Sequence, residues 1–365
     1  MNRRSFLKSS LTVSAGLAPG TTPRLNHFAS ADDPTKWRNF EVITKVEVIK
    51  PVGATRVWLP VPLTKQTDYF KRENDNWTGN FKTARTIQHD RYGTGLLFAE
   101  WPAGETAPSL ELKSRFMTRD RQVDLRGNPN PVLKEDRAVL DYFRKPSKLI
   151  RTDGIVATTS RGITMGMKSD VDKARAIYEW IVDNTFRDPK VKGCGIGDIS
   201  TMLHTGYLGG KCADLNALYV GLARAAGLPA RDVYGVRCAN SSEFKSLGKA
   251  DDITRAQHCR AEVFLTGYGW VPVDPADVRK VVLEENLPAD PLPLDDAKVK
   301  KARAKLFGAW EMNWLAYNYA HDVKLPNSNG PELGFLMYPQ VEEANGRRDS
   351  LDPDNFKYTI TAKEI

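Results

Sequence analysis

Apolar and polar residues alternate along the first part of the chain with the two-residue period that is typical of β-strands. The alternation is clear in residues 40–49 and 110–116, and residues 55–61 and 95–101 are short apolar runs bounded by glycine or proline. Proline at the end of such a run closes the strand, since it has no N–H to donate to a ladder. The pattern predicts an antiparallel, sandwich-like β-domain over residues 38–125.

From about residue 134 the apolar residues recur with helical spacing. Three helices are predicted, one ending at Pro146, one beginning near Ser169, and one running from Cys212 to Ala226. Three strands are predicted to follow, at residues 231–237, 259–265 and 270–274. These elements define a second predicted domain over residues 130–285.

The last part of the chain is predicted to be an extension that packs on this second domain, over residues 286–365. Residues 286–308 are rich in Pro, Asp, Lys and Ala, which indicates a linker that passes into a short helix, and further strands follow. Four aromatic residues in this extension are expected to belong to the core, with a substrate groove as the alternative: Trp310, Trp314, Tyr317 and Tyr319.

The N-terminus has the features of an export signal. Arg3-Arg4 is followed by a weakly apolar run and by a small-residue cleavage pattern that ends at Ala31. Residues 1–31 resemble a twin-arginine signal, which predicts a periplasmic or otherwise exported protein; a flexible basic tail is the alternative.

Charge and hydropathy exclude two classes of protein. Removal of residues 1–31 takes away four basic and no acidic residues, so the formal charge falls from +8 to +4. Because no stripe of Lys and Arg interleaved with aromatic residues remains, nucleic acid is not an expected partner. No stretch of 18 apolar residues outside the signal predicts a membrane span.

Cys212 lies where a glycine-rich turn, Gly209-Gly210-Lys211, enters an apolar helix. The unpaired N–H groups and the positive end of the helix dipole stabilise a thiolate at this position. The same N–H groups can donate to an oxyanion when the thiolate attacks a carbonyl. This position makes Cys212 a candidate nucleophile, although most single cysteines are buried core residues.

A predicted hairpin carries the groups that such a nucleophile needs. His258 opens one strand, a turn at residues 266–269 follows, and Asp274 ends the returning strand. Chemically, the thiolate attacks, the imidazole takes and returns a proton, and the carboxylate orients the imidazole. Cys212, His258 and Asp274 are therefore the predicted catalytic residues.

These motifs resemble the bacterial transglutaminase-like superfamily of papain-like thiol enzymes. The resemblance covers roughly residues 165–280 and rests on Gly-Lys-Cys212-Ala-Asp-Leu, Leu-Pro-Ala-Arg231, His258 and Gly-Trp-Val-Pro-Val-Asp274-Pro. It implies an α+β fold with a papain-like core, in which Cys212 is the nucleophile, His258 the general base and Asp274 the orienting carboxylate. Many members have an aromatic residue where this chain has Arg260, and the second oxyanion donor of the family has no match here.

The remaining cysteines leave alternatives open. Cys194 lies in a glycine-rich loop that lacks the Lys-Ser/Thr of a phosphate-binding loop, so an ordinary loop is expected. Cys259 is expected to point away from the catalytic side, because neighbouring strand residues face opposite ways. It is predicted to be a free thiol, with pairing to Cys238 as the alternative. A zinc site built from Cys194, Cys212, His258 and Cys259 is disfavoured, because their spacing lacks a short Cys or His pair.

The resemblance predicts an exported cysteine hydrolase or acyltransferase that acts on amide bonds of peptides or protein side chains of the cell envelope. An acyl-thioester on Cys212 would pass to water, the favoured acceptor, or to an amine. No cofactor or metal is expected. The alternative is a non-catalytic periplasmic binding or assembly protein that retains the fold.

Overall fold

A computed structural model describes residues 36–89, 92–130 and 135–365, so the predicted export signal lies outside the described residues. In chain order the strands are β1 Arg38–Glu47, β2 Thr55–Pro60, β3 Phe70–Gly79, β4 Thr83–His89, β5 Thr94–Trp101, β6 Ser109–Thr118, β7 Arg121–Gln122, β8 Phe186–Arg187, β9 Gly209–Gly210, β10 Ala230–Arg237, β11 Asp251–Asp252, β12 Gln257–Leu265, β13 Gly269–Val273, β14 Ala309–Trp310, β15 Trp314–Asn318, β16 His321–Val323, β17 Leu333–Phe335, β18 Gln340–Glu343, β19 Gly346–Arg347 and β20 Lys357–Glu364.

The helices begin, in most cases, after an Asp or Ser whose side chain accepts a hydrogen bond from the first turn. In chain order they are α1 Arg137–Tyr142, α2 Gly154–Thr164, α3 Asp170–Asn184, α4 Ile199–Thr205, α5 Cys212–Ala225, α6 Pro275–Glu284 and α7 Ala297–Lys305. Ser169 caps α3 with a reciprocal capping box to Asp172, as the predicted start of this helix requires. A helix long and apolar enough to cross a bilayer is not found among residues 36–89, 92–130 and 135–365.

Two antiparallel sheets pack face to face in the β-rich part of the protein. One has the order β11-β20-β1-β6-β3 and the other the order β19-β18-β2-β5-β4. Val46 and Leu112 of the first sheet pack against Val57 and Leu97 of the second, so the alternating pattern of the sequence faces a shared core. Strands β18, β19 and β20 come from the end of the chain, so distant segments complete both sheets.

A third large sheet has four antiparallel strands in the order β13-β12-β10-β15, and helix α5 packs against it. Helices α2, α3 and α6 contact the other sides of α5, and residues Cys212 to Arg224 of this helix are buried. Because α5 is surrounded, its apolar residues extend around the helix instead of forming one stripe. This burial holds the first turn of α5 against the sheet.

The fold class predicted from the sequence is confirmed: a mixed α and β protein with an antiparallel sandwich and a papain-like core. Two strands that the pattern did not predict, β3 and β4, are edge strands of their sheets. Strand β3 is largely polar, in keeping with the charged side chains that protect open sheet edges from pairing. The domain boundaries proposed within residues 38–365 remain predictions.

The aromatic residues of the last part of the chain lie in the core, as expected. Trp310, Trp314, Tyr317 and Tyr319 are at most 2% exposed. Trp314 begins β15, and its indole Nε1 donates to the carbonyl of His258 over 2.9 Å. The core cluster therefore supports the strand that carries the candidate base.

Candidate active site

Cys212 is the first residue of α5, at the position that the sequence predicted. The side chain of Asp214 holds the preceding turn, because its carboxylate accepts hydrogen bonds from the N–H of Lys211, Ile196 and Gly197, each at 2.9 Å. The N–H of Ala213 donates to the carbonyl of Cys194, also at 2.9 Å. These bonds clamp the loop of residues 193–197 onto the start of the helix.

The glycines of this loop are required by the clamp rather than by a ligand. Gly195 has a φ of +94°, and a Cβ at this position would lie 1.8 Å from the carboxylate of Asp214. Gly197 also has a positive φ, of +82°. The expectation of an ordinary loop therefore becomes more specific, since the loop is a structural support for the helix start.

The first turn of α5 leaves one amide available for an oxyanion. The N–H groups of Ala213, Asp214 and Leu215 donate to backbone carbonyls. The N–H of Cys212 itself has no protein acceptor within the described part of the chain. It is therefore the first-turn donor that fits the oxyanion chemistry of a thiolate at this position.

His258 and Asp274 meet at one end of the β12–β13 hairpin. The imidazole Nε2 lies 2.7 Å from Oδ2 of Asp274, and both side chains are buried. The other carboxylate oxygen, Oδ1, accepts from the N–H of Asp277 at 3.0 Å and from the amide of Asn216 at 3.2 Å. Asp274 thus caps α6 and orients the imidazole at the same time.

The structure brings all three predicted residues together. Asn216, one turn after Cys212, also donates to the carbonyl of Cys259 at 2.8 Å, which places the start of α5 over the beginning of β12. The imidazole of His258 contributes to the lowered pKa of the Cys212 thiol. Whether Cys212, His258 and Asp274 catalyse a reaction together is taken up below as a proposal.

Asp277 is a fourth member of the site that the sequence analysis missed. Its Oδ2 lies 3.3 Å from Nε2 of His258, and its Oδ1 accepts from the guanidinium of Arg237 at 2.6 Å. It is the third residue of α6, a helix that begins with Pro275 directly after the capping Asp274. The Asp-Pro sequence could have indicated the start of α6, and with it the position of Asp277, since Asp caps and Pro at the first position both mark helix beginnings.

Arg260, the departure from the family pattern, has a structural partner in the site. Its Nε lies 3.7 Å from Oδ2 of Asp274, and its guanidinium lies over the rings of Trp310 and Trp314. A buried cation at this distance favours the ionised form of the carboxylate. Arg260 therefore belongs to the support of Asp274 and is buried away from solvent.

Charges around the imidazole keep it protonated. Burial and the charge of Arg237 lower the pKa of His258, but Asp277 and Asp274 raise it further, and the pKa becomes about 9. Burial raises the pKa of Asp277, but Arg237 and His258 hold it well below its usual value. In contrast, burial and the neighbouring Asp277 raise the pKa of Asp274. The two carboxyl groups and the imidazole therefore titrate as one unit.

Two further thiols lie beside Cys212. Hydrogen bonding from Cys194 and Cys259 and the interaction with His258 lower the pKa of Cys212 well below that of an ordinary thiol, although burial opposes the shift. Burial and the Cys212 thiol raise the pKa of Cys259. The expectation that Cys259 points away from His258 stays a prediction.

All four cysteines are free, buried thiols, including Cys238 and Cys259. The residues that could gather around a metal ion in the described part of the chain are His258, Asp274 and Asp277. The carboxylate oxygens of Asp277 and Asp274 already face the guanidinium groups of Arg237 and Arg260, so a metal cation would compete with two fixed positive charges. This arrangement fits an imidazolium better than a metal.

The pH dependence of alkylation follows from these pKa directions. The thiolate of Cys212 forms at a pH well below the ordinary thiol range, and the imidazolium of His258 loses its proton near pH 9. We expect the rate of Cys212 alkylation by iodoacetamide to increase with pH in the acid range, as the thiolate forms, and then to stay level up to about pH 9. The rate should change again near pH 9, where the imidazolium of His258 loses its proton. Peptide mass spectrometry after timed alkylation measures it, with buried Cys238 as the internal reference. A single midpoint near the ordinary thiol pKa of about 8.5 would contradict the ion pair.

Residues 157–275 match the transglutaminase-like superfamily. An uncharacterized protein of Haemophilus influenzae is 33% identical over 345 residues, covering 89% of this chain and 91% of that protein. The crystal structure of a proposed cysteine protease from Cytophaga hutchinsonii aligns with a TM-score of 0.51 at 16% identity, over 90% of this chain and 98% of that chain. The periplasmic domain of TgpA from Pseudomonas aeruginosa aligns with a TM-score of 0.34 at 12% identity, over 69% and 92%. The chain belongs to the transglutaminase-like superfamily.

Proposed function

We propose that this protein is a cysteine hydrolase or acyltransferase that acts on amide bonds of peptides or protein side chains. The observation that carries the proposal is the position of Cys212 at the start of α5, beside an imidazole whose Nε2 bonds Asp274 at 2.7 Å. The lowered pKa of the thiol and the raised pKa of the imidazole favour a thiolate and an imidazolium in the resting site. Asp274 is the orienting carboxylate of this pair.

The reaction begins when the thiolate of Cys212 attacks the carbonyl carbon of the amide. The carbonyl oxygen becomes an oxyanion, to which the N–H of Cys212 donates. The imidazolium of His258 gives its proton to the leaving amine as the C–N bond breaks, which leaves a thioester on Cys212. Asp274 holds the imidazole in place and stabilises its charge through this step.

The acceptor decides the product. Neutral His258 takes a proton from water or from an amine as it attacks the thioester, and the thiolate leaves and is restored. Water gives the carboxylic acid, and an amine gives a new amide. We favour hydrolysis, because no calcium-site pattern of the kind that accompanies regulated cross-linking occurs in the sequence.

We further propose that the enzyme works outside the cytoplasm, in the periplasm or beyond, on components of the cell envelope. The support is the Arg3-Arg4 signal pattern and the small-residue site at Ala31. A folded route of export, which twin-arginine signals serve, would carry the buried thiols across in their native surroundings.

The reactivity of Cys212 tests this function directly. We expect an iodoacetamide-based probe to label Cys212 at neutral pH much faster than Cys238, because burial raises the pKa of the Cys238 thiol. The label should disappear in Cys212→Ala and remain in Cys238→Ala, the matched control. His258→Ala should slow labelling, since the thiolate would lose its ionic partner.

Two outcomes would speak against the enzyme. Equal labelling of Cys212 and Cys238 would favour the alternative, a binding or assembly protein that retains the fold without catalysis. An unchanged labelling rate of Cys212 in His258→Ala would show that the imidazole does not stabilise the thiolate, and it would contradict the proposed triad.

A further inference from the structure

A cleft opens between the loop that supports Cys212 and the last part of the chain. Its volume is about 310 Å³, within the lower range of ligand pockets, and its apolar lining includes Leu149, Ile196, Leu333, Phe335 and Leu351. Ile196 is 69% exposed, which is unusual for a large apolar side chain at a surface. We call this site the apolar cleft.

The charged residues of the apolar cleft are already neutralised. The guanidinium of Arg348 bonds both carboxylate oxygens of Glu343, at 2.7 and 2.9 Å. Asp349 accepts from the ammonium of Lys192 at 2.6 Å. Because no unpaired charge among the lining residues is available to hold an ionic ligand, the cleft favours an uncharged, apolar occupant.

The apolar cleft borders the loop that carries Cys194. Gly195 forms part of its wall and follows Cys194, whose carbonyl bonds the residue after Cys212. Leu351 lies against Gly193 on the other side, where a Cβ on the glycine would be 2.6 Å from a methyl group of Leu351. The cleft therefore borders the same loop that is clamped onto the start of α5.

Tyr338 lies between the apolar cleft and the thiols. It lines the cleft, is only 8% exposed, and interacts electrostatically with the thiols of Cys194 and Cys212. Its hydroxyl has no hydrogen-bond partner of normal geometry within the described part of the chain. A buried hydroxyl without a partner is costly, so a ligand that accepts its hydrogen bond gains affinity.

We propose that the apolar cleft is the recognition site for the acyl part of the substrate, an inference that rests on the proposed function. It takes the apolar side chain of a peptide residue next to the amide that Cys212 attacks, of the size of leucine or phenylalanine. The hydroxyl of Tyr338 donates to a backbone carbonyl of that peptide. The substrate class is therefore a peptide or protein segment with a large apolar residue beside the reactive amide.

A set of peptidyl vinyl sulfones that differ only in the side chain of the recognition residue tests this proposal. Phenylalanine, leucine, glycine, aspartate and lysine are compared by their rate of reaction with Cys212, each divided by the iodoacetamide rate of the same variant. We expect the phenylalanine and leucine probes to react at least about tenfold faster than the glycine and aspartate probes, as apolar pockets discriminate by this order.

Variants of the cleft show where the preference arises. Leu351→Glu, and Leu149→Glu on the opposite wall, place a carboxylate among the apolar side chains and should reduce the preference to less than about threefold. Two variants are used so that the loss of one to misfolding still leaves a test. Met165→Glu is the matched control, since Met165 is 79% exposed and lies outside the cleft, and it should keep the native preference.

The outcomes separate this inference from the proposed function. If iodoacetamide labels Cys212 rapidly but the probes show no side-chain preference, the cleft proposal fails and the enzyme remains. A preference that persists in both cleft variants also overturns it. If Cys212 reacts no faster than Cys238 with iodoacetamide, the proposed function fails first. Tyr338→Phe should slow the peptidyl probes more than it changes the iodoacetamide rate, and an equal change in both rates would contradict a role of Tyr338 in peptide recognition.

Discussion

Asp274→Asn is expected to slow acylation of Cys212 by about 10³-fold to 10⁴-fold, the order found when the carboxylate of a catalytic triad becomes an amide. The carboxylate Oδ2 accepts from Nε2 of His258 at 2.7 Å, and an amide NH₂ at this position would favour the wrong tautomer. The amide oxygen can still cap α6, where Oδ1 of Asp274 accepts from the N–H of Asp277. The release of p-nitrophenolate from p-nitrophenyl acetate by excess enzyme measures the acylation rate.

A matched variant separates catalysis from helix capping. Asp296→Asn makes the same change at the cap of α7, where Asp296 accepts from Lys298 and faces no imidazole, so acylation should keep its native rate. Asp277→Asn should have a smaller effect than Asp274→Asn, because Asp277 lies 3.3 Å from the imidazole. The pH profile of alkylation should shift in Asp274→Asn and Asp277→Asn and stay native in Asp296→Asn. A native profile in Asp274→Asn would refute its orienting role.

Glu262→Gln is expected to lower the free energy of unfolding by about 3–5 kcal/mol, the cost of breaking a buried ion pair from one side. Glu262 is fully buried on β12, where it bonds the guanidinium groups of Arg121 and Arg231 and accepts from the hydroxyl of Tyr69 at 3.1 Å. The charges of Arg231 and Arg121 outweigh burial and lower the pKa of Glu262, so it is ionised in the folded protein. Its replacement leaves two buried cations without their shared anion. Urea unfolding followed by circular dichroism measures the change.

The control for this prediction is an ion pair at the surface. Glu111 of β6 lies 2.9 Å from Lys45, and its side chain is 32% exposed. Glu111→Gln should therefore change the free energy of unfolding by less than about 1 kcal/mol. Equal losses in Glu262→Gln and Glu111→Gln would show that the buried cluster does not stabilise β12 in the expected way.

The sequence pointed to most residues of the candidate site because its strongest signals are local. A cysteine where glycines enter a helix, and a histidine and an aspartate on the strands of one hairpin, are recognisable within short windows. Asp277 escaped notice because its role requires both the hairpin and the start of α6. Arg260 was noticed as a departure from the family, but its contact with Asp274 depends on the aromatic core from another part of the chain.

Edge strands and partners that are distant in sequence explain what the sequence pattern failed to predict about the fold. Strands β3 and β4 are paired on one side only, so polar residues are tolerated where the apolar pattern would mark a central strand. The pairing of β1 with β20 joins residues such as Phe40 and Glu364, which no local pattern connects.

By itself, the sequence determined where the central strands and several of the helices form, and which residues have the chemistry of a thiol site. These properties depend on spacing and on the character of single side chains. Only the tertiary structure decided which groups surround the imidazole, which thiols affect the pKa of Cys212, and where the apolar cleft opens. Electrostatic and packing interactions act through space, and the residues that share them here are separated by tens to hundreds of positions along the chain.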